Sequence, residues 1–213
     1  MGSSDGDFAN TNFSSNVEDL RAAINFVESK YRDVDLLIGH SLGGAAVLYA
    51  QDACTHVKGI VTIGAPAEAS HVEHLFSDSL DEIEEKGFAE VSIGGRPFQI
   101  KKQFIDDITN IMIADKLAAL DAALLVMHSP VDQIVGVANA RDIFQRAKHP
   151  KSFVSLDDAD HLLLDRQDAA YAAQVIAAWS QRYLPKENKS NTCLLYTSPS
   201  PRDRQKSRMP SSA

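Results

Sequence analysis

A serine between two glycines is the first feature of this sequence that could carry out chemistry. Residues 39–43 read Gly-His-Ser-Leu-Gly, the G-x-S-x-G pattern that places a serine on a sharp turn between a strand and a helix. The preceding run at 34–38 is short and apolar, as a buried strand would be, and 42–53 has a helical pattern. A turn this sharp strains the serine backbone and lifts the hydroxyl clear of the sheet. We expect Ser41 to be a nucleophile; the alternative is an idle serine in a glycine-rich turn.

The same turn predicts roles for the neighbours of the serine. Gly39 and Gly43 stand where strand and helix converge, and we expect any side chain larger than hydrogen at either position to collide. The backbone N–H of Leu42 should point to the place where negative charge develops on a substrate oxygen. Leu42 is therefore predicted to supply one donor of an oxyanion hole.

A serine hydroxyl is a poor nucleophile at neutral pH, so it needs a base that a third group orients. The chain has seven histidines. Of these, His161 lies in a loop between the last predicted strand, 152–156, and the last predicted helix, 167–183. From that loop a side chain can reach back across the strand ends to Ser41. We therefore assign the base to His161.

Other histidines have simpler interpretations. His40 adjoins the serine and must point away from it, and His128 ends a strand, where a structural hydrogen bond is the expected role. His71 and His74 have a helical spacing that could hold a metal, but the H-E-x-x-H pattern and a nearby third ligand are missing. We expect no metal and no other cofactor.

The group that orients the base should be a carboxylate at the end of the preceding strand. Asp132 follows the predicted strand 122–127 by a short turn that contains proline, which suits this role. Three aspartates lie nearer to the base in sequence: Asp157, Asp158 and Asp160. Residues so close on one loop seldom face the ring nitrogen, and we expect them to solvate and cap the loop. The sequence thus predicts a catalytic triad of Ser41, Asp132 and His161.

The elements that must position these residues alternate between strands and helices. Short apolar runs predict four strands, at 34–38, 57–63, 122–127 and 152–156. Helical spacings predict helices at 16–31, 42–53, 137–147 and 167–183. Ser15 and Glu18 have the spacing of a capping box for the first of these helices. The alternation predicts an α/β fold with a parallel sheet that helices cover on both faces.

An insertion at 67–120 separates the second and third predicted strands and is longer than such a connection requires. It contains a helical stretch near 71–86 and a further helix that ends at Leu120. Between them, 89–93 and 96–100 form a predicted hairpin. We expect this insertion to be a lid over the active site.

Composition excludes several classes of protein. The chain has 213 residues, 44% of them hydrophobic and 23% charged, so it can bury the core of one globular domain. Its formal net charge of -8 opposes contact with phosphate backbones, and no nucleic-acid partner is expected. No apolar run is long enough to span a membrane, and two cysteines are too few for a disulfide framework. These features favour a cytoplasmic location without a membrane partner.

The composition changes abruptly at Cys193 to a stretch rich in serine, proline and arginine without periodicity. Such a composition is typical of a disordered tail. The string that begins there also resembles the translation of an adapter used in sequencing libraries. We therefore expect 193–213 to be a sequencing artefact and 1–192 to be the folded domain.

The serine turn and the loops of Asp132 and His161 resemble those of α/β-hydrolases, in which serine, acid and histidine follow in this chain order. Longer strings are similar to the hydrolase half of bacterial proteins that fuse such a domain to an OsmC-like domain; they are 6–15, 128–132 and 149–156. The resemblance covers residues 2–192. One departure is Asp160, where many relatives carry glycine before the histidine.

This resemblance implies a serine hydrolase that forms an acyl-enzyme on Ser41 and uses His161 first as base and then as acid. The implied substrates are small-molecule esters with small or medium acyl groups. Two alternatives remain. The same fold could support acyl transfer or perhydrolysis, or the domain could be a non-catalytic scaffold for a fused OsmC-like partner.

The resemblance also implies that this chain is a fragment. The family places more chain before the nucleophile, including several strands and a loop that supplies a second oxyanion amide. Only forty residues precede Ser41. We therefore expect the strand at 34–38 to form an exposed edge of the sheet, and we expect the chain to be weakly active or inactive.

Overall fold

The computed structural model describes residues 7–51, 54–93 and 96–184. Within these ranges the strands are β1 (Leu36–His40), β2 (Gly59–Ile63), β3 (Phe88–Ile93), β4 (Arg96–Lys101), β5 (Ala123–His128) and β6 (Lys151–Ser155). The α-helices are α1 (Phe13–Lys30), α2 (Leu42–Ala50), α3 (Leu80–Lys86), α4 (Lys102–Thr109), α5 (Ala114–Ala118), α6 (Ala138–Arg146) and α7 (Arg166–Ser180). Shorter 3₁₀ helices, which have fewer residues per turn, occupy Phe8–Asn10 and Ala69–Ser79.

Four parallel strands form the main sheet in the order β1, β2, β5, β6. In register across the sheet, Leu37 pairs with Ile60, Ile60 with Leu124, and Leu124 with Lys151. The first strand begins and ends two residues later than predicted, because Gly39 and His40 continue the pairing with β2. The predicted α/β fold with a parallel sheet is confirmed.

Helices pack on both faces of this sheet because alternate strand residues point to opposite sides. Ile60 and Leu124 enter a large core that also contains residues of α1, α2 and α6. Their neighbours Val61 and Leu125 enter a smaller core formed with α7. The central strands are thus buried on both faces, which explains their unbroken apolar sequences.

Helix α1 begins three residues before its predicted start. Its N-cap is Asn12, whose Oδ1 accepts a hydrogen bond from the backbone N–H of Ser15 at 2.7 Å. In return, the Oγ of Ser15 accepts one from the N–H of Asn12 at 3.0 Å. The capping box predicted from Ser15 and Glu18 is therefore wrong, because Ser15 is the third residue of the helix. Glu18 instead pairs with Arg21 at 2.8 Å.

β1 lies at one edge of the described sheet, as the resemblance to α/β-hydrolases implied. Ile38 in this strand is 51% exposed. The backbone groups along that edge have no neighbouring strand in the described sheet.

The segment between β2 and β5 has the predicted order of helical stretch, hairpin and helix, but the single helix predicted to end at Leu120 is two short helices, the second of which ends at Ala118. The 3₁₀ helix Ala69–Ser79 and α3 come first, β3 and β4 pair as an antiparallel hairpin, and α4 and α5 follow. The predicted turn at 94–95 lies outside the described residues, as does the tail at 193–213, whose disorder remains a prediction. No helix in the described ranges has the length and apolar character needed to cross a bilayer.

Helix α4 ties this insertion to the start of α1. Asp107 on α4 accepts hydrogen bonds from the backbone N–H of Ser14 at 2.7 Å and from its Oγ at 2.6 Å. Ser14 is the second residue of α1, and its N–H has no acceptor within the helix. A carboxylate at a helix N-terminus is also favoured by the helix dipole. Asp107 therefore stabilises α1 and holds the insertion against it.

We expect Asp107→Ala to lower the free energy of unfolding by about 1–3 kcal/mol, because two hydrogen bonds to a charged acceptor are lost. Urea denaturation measures this change. Asp106→Ala is the matched control, since its exposed carboxylate stands next to Asp107 on the same helix. The control should change stability by less than about 0.5 kcal/mol. Equal losses in the two variants would contradict the assigned role.

Candidate active site

The candidate site lies where the parallel strands of the main sheet end. Ser41 directly follows β1, Asp132 follows β5 and His161 follows β6. Because parallel strands present their carboxyl ends at one edge, loops that are far apart in sequence meet there. The topology thus brings together three residues separated by as many as 120 positions.

Ser41 connects β1 directly to α2 through a strained backbone. Its φ of 52° and ψ of -129° are values that a residue with a side chain rarely adopts. The turn is held by two backbone hydrogen bonds. The N–H of Ser41 donates to the carbonyl of Ile63 at 2.8 Å, and the N–H of Gly44 donates to the carbonyl of Ser41 at 2.8 Å.

Glycine is required at two positions of this turn. A β carbon on Gly39 would lie 2.2 Å from the carbonyl oxygen of Gly43, and one on Gly44 would lie 2.5 Å from the β carbon of Ala65. A β carbon on Gly43 would meet nothing within 4 Å. The steric prediction is therefore right for Gly39 and wrong for Gly43. In the first turn of α2, Gly44 packs against the sheet side and Gly43 is exposed.

His161 contacts both other predicted triad residues. Its Nδ1 lies 2.7 Å from Oδ2 of Asp132, and its Nε2 lies 2.9 Å from Oγ of Ser41. An ionised carboxylate can only accept, so the proton between His161 and Asp132 belongs to Nδ1. In the neutral ring, Nε2 is then free to accept the hydroxyl proton of Ser41.

The environment of Asp132 keeps this carboxyl ionised. Burial raises its pKa, but hydrogen bonds from His161 and from the backbone amides of Val135 and Ile134 outweigh that effect. The amides lie 2.9 and 2.8 Å from Oδ1. The net result is a pKa below the usual value for aspartic acid. Asp132 therefore carries negative charge beside His161 throughout the neutral range.

Two of the nearer aspartates stabilise their own loop. The carboxylate of Asp160 accepts hydrogen bonds from the backbone amides of Leu162 at 2.7 Å and Leu164 at 3.1 Å. Asp157 has a φ of 45°, and its carbonyl accepts a bond from Ser129 at 3.0 Å. The contacts of Asp160 fit its predicted capping role, whereas Asp157 contributes only its backbone carbonyl. The ring nitrogens of His161 contact Ser41 and Asp132 instead.

His128 has the structural hydrogen bond that its position predicted. It is fully buried, and its Nε2 donates to the carbonyl of Val135 at 2.7 Å. Val135 also donates its N–H to Asp132, so His128 supports the loop that carries the acid.

The histidine pair of the insertion has neighbours of its own. His71 Nδ1 lies 2.5 Å from Oδ1 of Asn139, and His74 Nδ1 lies 2.6 Å from the carbonyl of His71. In the part of the chain that the structure describes, no cluster of three or more histidine, cysteine or acidic side chains could hold a metal ion.

The contact between His40 and His161 is one that sequence reasoning missed. The Nε2 of His40 lies 2.6 Å from the backbone carbonyl oxygen of His161. The side chain of His40 reaches the loop of the proposed base. The motif itself carried no signal for this contact, because the partner is a backbone atom 121 positions away.

A cavity of about 690 Å³ opens beside Ser41. Its walls are mainly apolar and come from α1, from the serine turn and from the insertion. The insertion contributes Val72, Leu75, Phe76, Phe98, Ile100 and Phe104. Asp19 is the only carboxylate among the described lining residues. The insertion thus forms one wall of the cavity that reaches the serine.

Comparison with solved structures gives close matches in fold. The esterase domain of a Rhodothermus marinus protein is 48% identical in sequence, over 83% of this chain and 72% of that one, with a TM-score of 0.68. Alpha/beta hydrolase domain-containing protein 10 from mouse is 21% identical, over 85% and 74% of the two chains, with a TM-score of 0.65. Est1E from Butyrivibrio proteoclasticus is 16% identical, over 81% and 71%, with a TM-score of 0.66. Comparisons with profiles of known families and with curated protein sequences gave no match.

Gly39 and Gly43 should respond differently to the same substitution. We expect Gly39→Ala to lower the free energy of unfolding by about 1–3 kcal/mol, because its methyl group must displace backbone. Gly43→Ala should leave stability unchanged or raise it by up to about 1 kcal/mol, since alanine favours the helix and meets open space. Urea denaturation of the two variants checks this order. Destabilisation by Gly43→Ala as large as that by Gly39→Ala would show that the steric account is incomplete.

Proposed function

The chain belongs to the α/β-hydrolase family, and we propose that it is a serine hydrolase that cleaves carboxylic esters through an acyl-enzyme on Ser41. The observation that carries this proposal is the 2.9 Å contact between Oγ of Ser41 and Nε2 of His161, whose Nδ1 is held by Asp132. A serine becomes a nucleophile when a neutral imidazole can take its proton. The kinship with a solved esterase domain supports the choice of ester substrates.

In the proposed acylation, Oγ of Ser41 forms a bond to the carbonyl carbon of the ester while Nε2 of His161 takes the hydroxyl proton. The resulting imidazolium is stabilised by the ionised Asp132. As the tetrahedral intermediate collapses, the bond to the alcohol oxygen breaks, and Nε2 gives its proton to the leaving alcohol. The acyl group remains on Ser41.

In the proposed deacylation, His161 takes a proton from water while the water oxygen attacks the acyl carbon. The bond to Oγ then breaks, and Nε2 returns its proton to Ser41. The carboxylic acid leaves and the enzyme regains its starting state.

The N–H of Leu42 is the donor that we propose for the oxyanion formed in both steps. Leu42 follows the nucleophile and begins α2, so its amide is one of those without an acceptor in the helix. The positive end of the helix dipole also favours negative charge at this place. A second donor is not assigned among the described residues.

The cavity supports esters with an uncharged, apolar acid or alcohol group of small or medium size. The cavity has aromatic and aliphatic walls, so the transfer of an apolar substrate group from water into it is favourable in free energy. A substrate carboxylate would lose its hydration there, and Asp19 would repel it. Short-chain p-nitrophenyl esters are therefore suitable test substrates.

The proposed function is tested by labelling the 213-residue chain with a fluorophosphonate probe and by following hydrolysis of p-nitrophenyl butyrate. We expect the probe to label Ser41, because it reacts with serines that a neighbouring base activates. Ser41→Ala should lose both labelling and hydrolysis. Labelling is the more sensitive readout, since an enzyme with weak turnover still reacts with the probe.

A folded wild-type chain that resists the probe would overturn the proposal in favour of a non-catalytic scaffold. Suppose that the probe labels Ser41 and that the butyryl group of the ester is transferred to an added alcohol or peroxide in preference to water. These two results together would instead support an acyltransferase or a perhydrolase. Circular dichroism establishes that the chain is folded in each case.

The acid assignment predicts a large difference between two conservative variants. Asp132→Asn should lower kcat for the butyrate ester by orders of magnitude, down to the level of Ser41→Ala in a weakly active chain, because the amide no longer selects the productive tautomer of His161. Asp160→Asn keeps one oxygen acceptor, for the shorter bond from Leu162, and should retain most of the activity because Asp132, not Asp160, contacts the ring of His161. Steady-state kinetics on the two purified variants measures the difference. If Asp160→Asn were the more damaging change, the triad would have to be reassigned.

A further inference from the structure

We propose that His40 is a positioning residue that holds the backbone of His161 and so keeps the base against Ser41. This inference rests on the proposed function, since the position of His161 affects the reaction only if His161 acts as the base. It gives a role to a residue that the triad mechanism does not use.

A hydrogen bond links the end of β1, next to Ser41, directly to His161. His40 is the last residue of β1 and precedes Ser41. Its Nε2 lies 2.6 Å from the carbonyl oxygen of His161, and the two rings are 5.0 Å apart between centroids. A carbonyl oxygen only accepts, so the proton of this bond must be on Nε2 of His40. His40 therefore holds the backbone of His161, and the side chain of His161 contacts Ser41.

Burial lowers the pKa of His40, and the hydrogen bond to the carbonyl of His161 opposes this only in part. The net pKa lies below the usual value for histidine. His40 is therefore neutral at neutral pH, with its single ring proton on Nε2. A neutral ring at this place avoids a second positive charge beside the imidazolium that forms on His161 during the reaction.

The loop that carries His161 needs such a support because its backbone is strained. Asp157 and Leu163 in this loop have φ values of 45° and 52°. Strained conformations persist only when surrounding contacts overdetermine them. Another bond from the strand ends, between Ser129 and the carbonyl of Asp157, is four residues upstream of the base. The bond from His40 instead reaches His161 itself.

Two substitutions separate the hydrogen bond from the bulk of the ring. His40→Phe keeps a flat ring of similar size and removes the donor, whereas His40→Gln provides an amide N–H that can reach the same carbonyl. We expect His40→Phe to lower kcat for p-nitrophenyl butyrate by about 10-fold with KM within about 2-fold of wild type, because misplacement of the base affects the transition state. His40→Gln should recover most of kcat. Fluorophosphonate labelling of Ser41 should slow and recover in parallel.

His56→Phe is the matched control, because His56 is exposed and lies in the loop before β2, outside the described lining of the cavity. It should leave kcat unchanged. Unchanged kcat in His40→Phe, equal losses in both His40 variants, or a change in KM alone would overturn the proposal. A wild-type chain that neither hydrolyses the ester nor reacts with the probe would overturn the proposed function and the positioning role with it. An active wild type with unaffected His40→Phe overturns the positioning role alone.

A measurement on the wild-type chain tests the bond without any variant. Nitrogen-15 spectra of the histidine rings distinguish a protonated from a bare ring nitrogen. At neutral pH we expect His40 to carry its proton on Nε2 and to leave Nδ1 bare. A ring of His40 protonated on Nδ1 alone could not donate to His161 and would overturn the proposal, whatever the kinetics of the variants.

Discussion

The strained turn at Ser41 is the constraint on which the rest of this site depends. A residue with a side chain at such φ and ψ values costs about 1–3 kcal/mol, so the surrounding structure must hold it in place. β2 supplies the carbonyl of Ile63, and the absence of side chains at Gly39 and Gly44 lets β1 approach α2 closely. In return, the turn leaves the serine side chain at the strand ends, within hydrogen-bond distance of a histidine from a distant loop.

Hydrogen bonds keep the carboxylate of Asp132 ionised although it is buried. Asp132 is buried, and an isolated carboxylate there would take up a proton. Two backbone amides and His161 fill its acceptor positions. His128 holds the carbonyl of Val135, one of the two residues whose amides bind the carboxylate. The orientation of the proposed base therefore depends on a short chain of hydrogen bonds within one loop and on the end of β5.

The fold and the proposed triad could be predicted because their signals are local or topological. The alternation of apolar strands and amphipathic helices fixes which loops meet at one sheet edge, and this selects His161 among the histidines. The contact of His40 could not be found this way, since it joins a side chain to a distant backbone atom. The open space beside Gly43 depends on packing, and the choice of Asn12 as the N-cap of α1 depends on cap geometry. Residue spacing alone encodes neither. For α1, both Ser15 and Asn12 are good caps, and the structure uses them as a reciprocal pair.

A single side chain links the start of the insertion to a later part of it and to α6. Glu68, just after β2, accepts a hydrogen bond from the N–H of Ile113 at 2.7 Å and pairs with Arg146 of α6 at 2.7 Å. The stretch between Glu68 and Ile113 is therefore an excursion whose two ends lie close together. The entropic cost of closing such an excursion grows slowly, by about 0.6 kcal/mol for each doubling of its length. A change in the length of this excursion, and with it in one wall of the cavity, therefore costs little chain entropy, provided that its packing against α1 is kept.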